Sequence, residues 1–369
     1  MRIHLEERLQ ESRVRLIAVP LAALILAFCL IGILLWLLGI NPFVVYKEIV
    51  ETSLTSKFGF GDTLAQATPL ILTSLATAFA FKMKVLSIGA EGQLILGAIF
   101  AASTGIILNG QPALVLIPAV MAAGILGGAF WTIVPALLNA YLNVSVIITT
   151  LMLNFISYLL AAFLIFGSTS FLTKNISNFP QGQSISLEAR LPGIGNQSVT
   201  WGLAISIAAA VTVWLILSYS RFGYSLRVCS DSPNASRYAG INRRFMIIAV
   251  LLVSGALAGL AGALEVSGRT YALDPFSLQL GLGYTGVVVA VISRLNSFAI
   301  IAVSILFGAL ITSGPALQSL SENNLPSEIV SVIIGMVLIL VLVGDVFVRF
   351  KLKISPGPQS RLEADSKAT

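Results

Sequence analysis

Long apolar segments alternate with short polar ones along almost the whole chain. A membrane-spanning helix needs about 20 predominantly apolar residues, and we place ten such segments roughly at 16–40, 63–81, 86–107, 112–139, 144–167, 201–219, 245–267, 278–293, 297–314 and 327–348. The pattern predicts an all-α polytopic membrane protein. We expect residues 1–15 to be a cytoplasmic N-terminal segment, 16–348 a transmembrane domain, and 349–369 a disordered cytoplasmic tail.

Two of the predicted spans are interrupted. The segment 87–93, where a helix should begin, contains several polar and glycine residues. The short segment 278–293 contains Gly281, Gly283 and Gly286. Irregular backbone at membrane depth is tolerated only where protein buries it or where it lines a cavity. Interrupted helices of this kind are typical of the binding regions of transporters. We therefore expect broken helices near the centre of the protein.

The basic residues predict the orientation. With ten spans both termini lie on one side, and if that side is the cytoplasm, the cytoplasmic segments hold 17 of the 22 Lys and Arg residues and the outer segments five. Lys and Arg in short loops favour the cytoplasmic side of the membrane. The chain is therefore predicted to lie in the plasma or inner membrane with both termini in the cytoplasm.

The polar stretch 221–244 separates two apolar segments and carries five arginines against one carboxylate, Asp231. Within it, Ser232 is a good helix N-cap and Pro233 is favoured at the first helical position. A short helix is therefore predicted from Pro233 to Tyr238, with its end near Gly240. A short ordered basic helix between two spans predicts a docking surface for a cytoplasmic partner.

Few polar residues fall inside the spans, but two carboxylates, those of Glu91 and Glu265, lie within or at the edge of predicted spans. Buried ionisable groups in membrane proteins face a cavity or a partner more often than lipid. Glu91 either caps and packs at the start of its helix or lines a pathway, whereas Glu265 can pair with Arg269 at i+4. Asn154 either hydrogen-bonds between helices or contacts a solute.

Two glycine series predict close helix packing rather than chemistry. They have the small-xxx-small spacing that lets helices approach in membranes, and their members are Gly124, Gly127 and Gly128, and then Gly255, Gly259 and Gly262.

The composition excludes several function classes. The chain is 57% hydrophobic with a mean hydropathy of +0.94, values typical of polytopic membrane proteins. The net charge of +6 is spread over loops, which explains orientation better than nucleic-acid binding. One histidine, two cysteines and no GxxxxGK loop leave no catalytic, metal or nucleotide motif. We therefore expect no enzyme and no cofactor bound by this chain, so any ATP is used by a partner subunit.

Three motifs resemble one family. Their sequences are IGAEGQL over 88–94, TLMLNFI over 150–156 and ASRYAGI over 235–241. Together they resemble the membrane subunits of ABC-type importers for nucleosides, within the branched-chain amino acid and ribose permease superfamily, and the similarity runs from about residue 60 to 345. The first motif resembles the longer of the two permeases that work as a pair in such systems.

The resemblance implies a type II importer-like fold and a nucleoside, or a related ribose-containing or sugar solute, as substrate. It implies three protein partners: a cytoplasmic ABC ATPase, a second and shorter permease, and an extracytoplasmic substrate-binding protein. It makes the short helix a coupling helix with the contact residues Pro233, Asn234, Ala235, Arg237, Tyr238, Ala239 and Gly240. Glu91, Gln93 and Asn154 become candidates to line the substrate pathway. The alternative is an ion- or proton-coupled secondary transporter that uses Glu91 or Glu265.

Overall fold

The computed structural model describes residues 2–7, 25–26, 28–33, 35–37, 39, 41–167, 173–176, 179–194, 196–273, 281–319, 332, 335–336, 339 and 350–355. The chain divides into two compact units, one formed by 1–47 with 323–369 and the other by 48–322. Most of the predicted span 327–348 and much of the predicted span 16–40 lie outside the described residues.

Helices dominate the described part of the chain. They are α1 (Pro42–Val50), α2 (Lys57–Phe81), α3 (Ala90–Ile107), α4 (Ala113–Leu142), α5 (Val146–Phe166), α6 (Gly202–Tyr219), α7 (Arg221–Asp231), α8 (Pro233–Tyr238), α9 (Arg243–Glu265), α10 (Leu282–Ile292) and α11 (Ser297–Ser319). Two π-helical turns, Glu51–Thr55 and Val266–Thr270, and a 3-10 turn, Leu187–Ala189, complete them.

The strands are short and pair two by two. They are β1 (Arg2–Glu7), β2 (Thr173–Ile176), β3 (Phe179–Gly182), β4 (Gly193–Ile194), β5 (Asn196–Thr200) and β6 (Phe350–Ser355). All three pairs, β1 with β6, β2 with β3 and β4 with β5, are antiparallel. In the predicted tail 349–369, residues 350–355 form β6, and residues 356–369 lie outside the described residues. The disorder expected of the tail stays a prediction.

Seven helices of the described part are long and apolar enough to cross a membrane: Lys57–Phe81, Ala90–Ile107, Ala113–Leu142, Val146–Phe166, Gly202–Tyr219, Arg243–Thr270 and Ser297–Gly314. They confirm seven of the ten predicted spans and the all-α polytopic fold. The predicted span 278–293 is present as the shorter helix α10, so the count of ten is not confirmed.

The spanning helices separate into central and peripheral ones. The apolar window of α2 is 78% buried and that of α3 is 72% buried, whereas those of α5 and α6 are each 28% buried. A helix that is apolar all round and largely covered by protein lies in the core of a bundle, and one that is apolar but uncovered can face lipid. The polar groups of α2 and α3 therefore lie at the centre of the unit 48–322.

Glycines set the closest helix contacts, as the small-xxx-small spacing predicts. A Cβ atom on Gly128 of α4 would overlap the carbonyl oxygen of Gly255 of α9, and one on Gly259 would overlap that of Gly124. Gly262 meets the carbonyl oxygen of Leu94 on α3 in the same way. Helices α3, α4 and α9 therefore pack backbone to backbone, which is how small residues stabilise helix pairs in membranes.

Candidate functional site

The interrupted helices α3 and α10 begin at the same place. Helix α3 starts after Gly89, and α10 starts after Gly281, whose φ of +67° is a left-handed conformation that suits glycine. A Cβ atom on Gly283 would overlap the backbone of Glu91 and Ala90. The N-terminal ends of helices α3 and α10 therefore touch, and we call this contact between two helix N-termini the N-terminal junction.

Glu91 joins the two helices. It is 6% exposed, and its Oε2 accepts a hydrogen bond of 2.6 Å from the backbone N–H of Gly283. The first N–H groups of a helix need an acceptor, and Gly281, at the N-cap of α10, provides no side-chain cap. Glu91 therefore caps α10 rather than its own helix, which was the expected place.

Asn154 of α5 ties the junction to a third helix. Its Oδ1 accepts from the N–H of Gly92 at 2.9 Å. Its Nδ2 donates to the carbonyl oxygen of Ile88 at 2.9 Å and to the Tyr284 hydroxyl at 3.1 Å. Asn154 is 3% exposed, so these are helix-to-helix hydrogen bonds in a protein interior, one of the two roles expected for it. Contact with a solute stays a prediction.

Gln93 is the third predicted pathway residue. It is 1% exposed, and its Oε1 is buried without a hydrogen-bond partner among the described residues. Its Nε2 lies over Gly89, beside Thr150 of α5. The structure thus brings the three predicted pathway residues to one buried junction.

Sequence reasoning missed two members of this junction. Tyr284 carries no local signal, because an aromatic residue in an apolar segment is usually a packing residue. Gly283 was visible as part of an interrupted helix, but its contact with Glu91 links positions 192 residues apart.

Glu265 pairs with Arg269, as the i+4 spacing predicts. The Nε of Arg269 donates to Glu265 Oε1 at 2.6 Å, and its Nη2 contacts the same oxygen. Glu265 is 1% exposed, so the pair neutralises a buried carboxylate at the end of α9.

The predicted docking helix α8 is present with the predicted cap. The Oγ of Ser232 accepts from the N–H of Ala235 at 3.2 Å, and Pro233 occupies the first turn. The chain leaves the helix at Gly240, with a φ of +70°. These features confirm the predicted boundaries, Pro233 to Tyr238.

One face of α8 is exposed. Tyr238 is 93% exposed, whereas Ser236 is 1% exposed and anchors the helix. The N–H of Ile241 donates to the carbonyl oxygen of Ser236 at 2.9 Å. The other predicted contact residues whose side chains are described are exposed too, namely Asn234, Ala235, Arg237, Ala239 and Gly240.

Comparison with known proteins gives the family. Residues 59–342 match the family described as branched-chain amino acid transport system, permease component. The glucose ABC transporter permease protein TsgB13 of Haloferax volcanii is 30% identical over 91% of this chain and 90% of its own. The nucleoside ABC transporter permease protein NupB of Lactococcus lactis is 31% identical over 90% of this chain and 92% of its own. The guanosine ABC transporter permease protein NupP of Bacillus subtilis is also 31% identical, over 89% of this chain and 94% of its own. Because the family match spans most of the bundle, this chain belongs to the branched-chain amino acid transport system permease family and is a multi-pass membrane permease of the ABC transporter class.

Proposed function

We propose that this chain is the permease subunit of an ATP-driven importer that moves nucleosides, or a related ribose-containing or sugar solute, into the cytoplasm. A separate ATPase subunit docks on α8 and supplies the energy. Helix α8 carries this proposal, because it is ordered and capped between two spans and yet keeps one face exposed. ATP is bound and hydrolysed by the partner, not by this chain.

A physical route leads from α8 into the bundle. Helix α7, which precedes α8, is joined to the end of α6 by the Nη1 of Arg227, which donates to the carbonyl oxygen of Leu217 at 2.9 Å. Phe222 of α7 stacks on Phe79 of the central helix α2, with ring centroids 6.0 Å apart and planes 15° from parallel. A push on α8 would therefore reach α2 through packed side chains, and packed elements move as units.

The substrate class rests on the relatives. They are named for glucose, nucleosides and guanosine, and these solutes share a hydroxylated sugar ring. We extend that chemistry to this chain and favour nucleosides. A second permease, shorter than this one, and an extracytoplasmic substrate-binding protein complete the proposed assembly.

The N-terminal junction is our proposed pathway region. Its polar groups, those of Glu91, Gln93 and Asn154, lie between helices that begin inside the bundle. If α10 moves away from α3 during transport, these groups become the wall of the opening. A Glu91→Gln variant should then raise the KM for uptake. Unchanged uptake and affinity would leave Glu91 with its capping role alone.

The docking proposal is tested by replacing Arg237 and Tyr238 together with alanine. We expect loss of the ATPase subunit on co-purification and loss of uptake, with the permease still folded in the membrane. The matched control replaces Arg221 and Tyr224 of α7, which are also exposed, and should keep both activities. Full uptake by the Arg237/Tyr238 variant would remove the docking role of α8. Uptake that collapses with a protonophore while cellular ATP stays high would instead support the gradient-coupled alternative.

A further inference from the structure

A polar cavity of about 350 Å³ lies at the opposite end of the bundle from α8. It is formed by α2, α11, the strand β5 and the π-helical end of α9. The charge distribution predicts this end to be extracytoplasmic. Six polar residues line the cavity: Asp62, Gln66, Ser198, Arg269, Tyr271 and Thr312. Its volume falls in the range of small-ligand pockets, about 300–1,000 Å³. The residues of the N-terminal junction do not line it.

Two residues of its lining each carry a polar atom that has no hydrogen-bond partner in the described part of the chain. Gln66 Oε1 and Thr312 Oγ1 are buried and make no hydrogen bond with any described residue. Buried polar side-chain atoms are hydrogen-bonded in the large majority of cases, and an exception calls for an explanation. An amide oxygen accepts, and a hydroxyl both donates and accepts. A solute hydroxyl in the cavity can satisfy both groups once the Gln66 and Thr312 side chains turn towards it.

The charges of the cavity favour a neutral solute. The guanidinium of Arg269 is already engaged by Glu265, with Nε to Oε1 at 2.6 Å. Asp62 is exposed and is the other charged residue in the lining. Asp62 and Glu265 are balanced by Arg269 and by Arg190, which lies against the Tyr271 ring, so the cavity has no net charge that would favour an ionic solute. A carboxylate such as that of Asp62 can accept from two neighbouring hydroxyls at once.

The wall that carries Arg269 and Tyr271 is fixed in place. Tyr271 has a left-handed backbone with a φ of +56°, and its ring lies 4.5 Å from the Arg190 guanidinium in a cation–π contact. The N–H of Ile185 donates to the carbonyl oxygen of Tyr271, and that of Leu191 to the carbonyl oxygen of Ser267, both at 2.9 Å. Non-glycine residues in this conformation, like π-helical turns, occur often at functional sites.

We propose that this cavity binds the hydroxylated ring of a neutral sugar or nucleoside at the outer end of the transport route. The inference rests on the proposed function and names the part of the substrate that the permease recognises first. The cavity suits an aliphatic amino acid poorly, because only Ala65 and Ile311 offer apolar side chains to a branched chain. The permease would thus select for hydroxyls before the junction opens.

The test measures binding by the purified full chain in lipid nanodiscs. The probes are D-ribose, guanosine and L-leucine, followed by saturation transfer from protein to ligand protons. We expect signals on the ribose ring of the first two probes and none on leucine. Asp62→Asn and Gln66→Leu should each weaken ribose and guanosine binding about 10-fold or more, since the first replaces a charged acceptor by a neutral one and the second removes a hydrogen-bonding group. The control Gln111→Leu changes an exposed glutamine outside the cavity and should bind like the wild type.

The outcomes separate the site from the function. Equal ribose signals in the wild type, Asp62→Asn and Gln66→Leu would overturn the site, and so would leucine binding as well as ribose. Guanosine bound through its base alone, with both variants unaffected, would also overturn it. ATP-driven nucleoside uptake by cells carrying the whole transporter is measured separately. Absent uptake in the wild type rejects the proposed function, whereas normal uptake with an unchanged KM in both variants rejects only the site.

Discussion

The carboxylate of Glu91 caps α10 by accepting a 2.6 Å hydrogen bond from the N–H of Gly283, which lies 192 residues further along the chain. A helix N-terminus carries partial positive charge, so a carboxylate there is favourable. Because Gly281 provides no side-chain cap, α10 depends on α3 for its first acceptor. Any movement that separates α10 from α3 must break this bond.

The capping geometry predicts a graded loss of stability at position 91. Glu91→Ala removes the acceptor and leaves buried N–H groups unsatisfied, which should cost about 1.5–3 kcal/mol. Glu91→Gln keeps an acceptor oxygen and should cost less. The measurement is the thermal unfolding midpoint of each purified variant in detergent. A midpoint for Glu91→Ala equal to that of the wild type would contradict the capping role.

Variants at Asn154 and Tyr284 compare the contributions of individual hydrogen bonds in the same network. Asn154→Leu loses the bonds to Gly92, Ile88 and Tyr284, and the buried backbone groups that it leaves should lower the free energy of unfolding by about 1–3 kcal/mol each. Tyr284→Phe loses one bond and should cost about 1 kcal/mol. The thermal unfolding midpoints of both variants test whether Asn154→Leu is the more destabilising change. A larger drop in midpoint for Tyr284→Phe would show that the hydroxyl has another partner.

The glycine contacts predict a steric effect. In Gly259→Ala the new methyl would overlap the backbone of Gly124 and Gly128, so α4 and α9 must move apart and the yield of folded protein should fall sharply. Gly202→Ala is the matched control, because its nearest neighbour would be the Thr200 hydroxyl at 3.2 Å. Membrane yield and gel filtration compare the two, and similar losses would mean that backbone contact is not the cause.

The local pattern was sufficient for seven of the ten predicted spans and for α8. Apolar run length fixes where a helix crosses the membrane, and the Ser232-Pro233 pair fixes where α8 begins. Helix ends were predicted less well. Helix α2 begins at Lys57, ahead of the predicted 63, because its N-cap Ser56 accepts from the N–H of Gly59 and extends the helix beyond its apolar part. Helix ends follow caps as much as hydropathy.

The sites depend on contacts between distant parts of the chain. The partner of Glu91 and the walls around Asp62 and Arg269 come from helices far apart in sequence. A single sequence shows which residues are polar in an apolar segment, and so it identified Glu91 and Asn154. It does not show which helix start lies opposite, so the cap of α10 and the polar cavity required the three-dimensional structure.

The lowered pKa of Lys82 should make the stability of the folded protein depend on pH. Burial lowers its pKa below the usual value, and the positive charge of Arg227 lowers it further. The protonated form is therefore disfavoured in the folded protein, and this cost is fully present below the lowered pKa. As pH rises from there towards the unfolded value of about 10.4, the cost disappears and stability increases.

Lys82→Met should accordingly raise the thermal midpoint at neutral pH, and the gain over the wild type should shrink as the pH becomes alkaline. Midpoints measured from pH 7 to pH 10 give both quantities. Lys84→Met is the control, since Lys84 is exposed and its removal should leave the midpoint nearly unchanged. A gain that stays constant over the whole pH range would argue against the titration of Lys82 as its source.

The charge distribution predicts which end of the bundle faces the cytoplasm. Asn234 on α8 and Gln111 in the turn between α3 and α4 are both exposed and lie at opposite ends. In a chain whose Cys29 and Cys229 are replaced by serine, Gln111→Cys should react with a membrane-impermeant maleimide in intact cells. Asn234→Cys should react only after the membrane is opened. The opposite labelling pattern would reverse the orientation, and it would place α8 out of reach of any cytoplasmic ATPase.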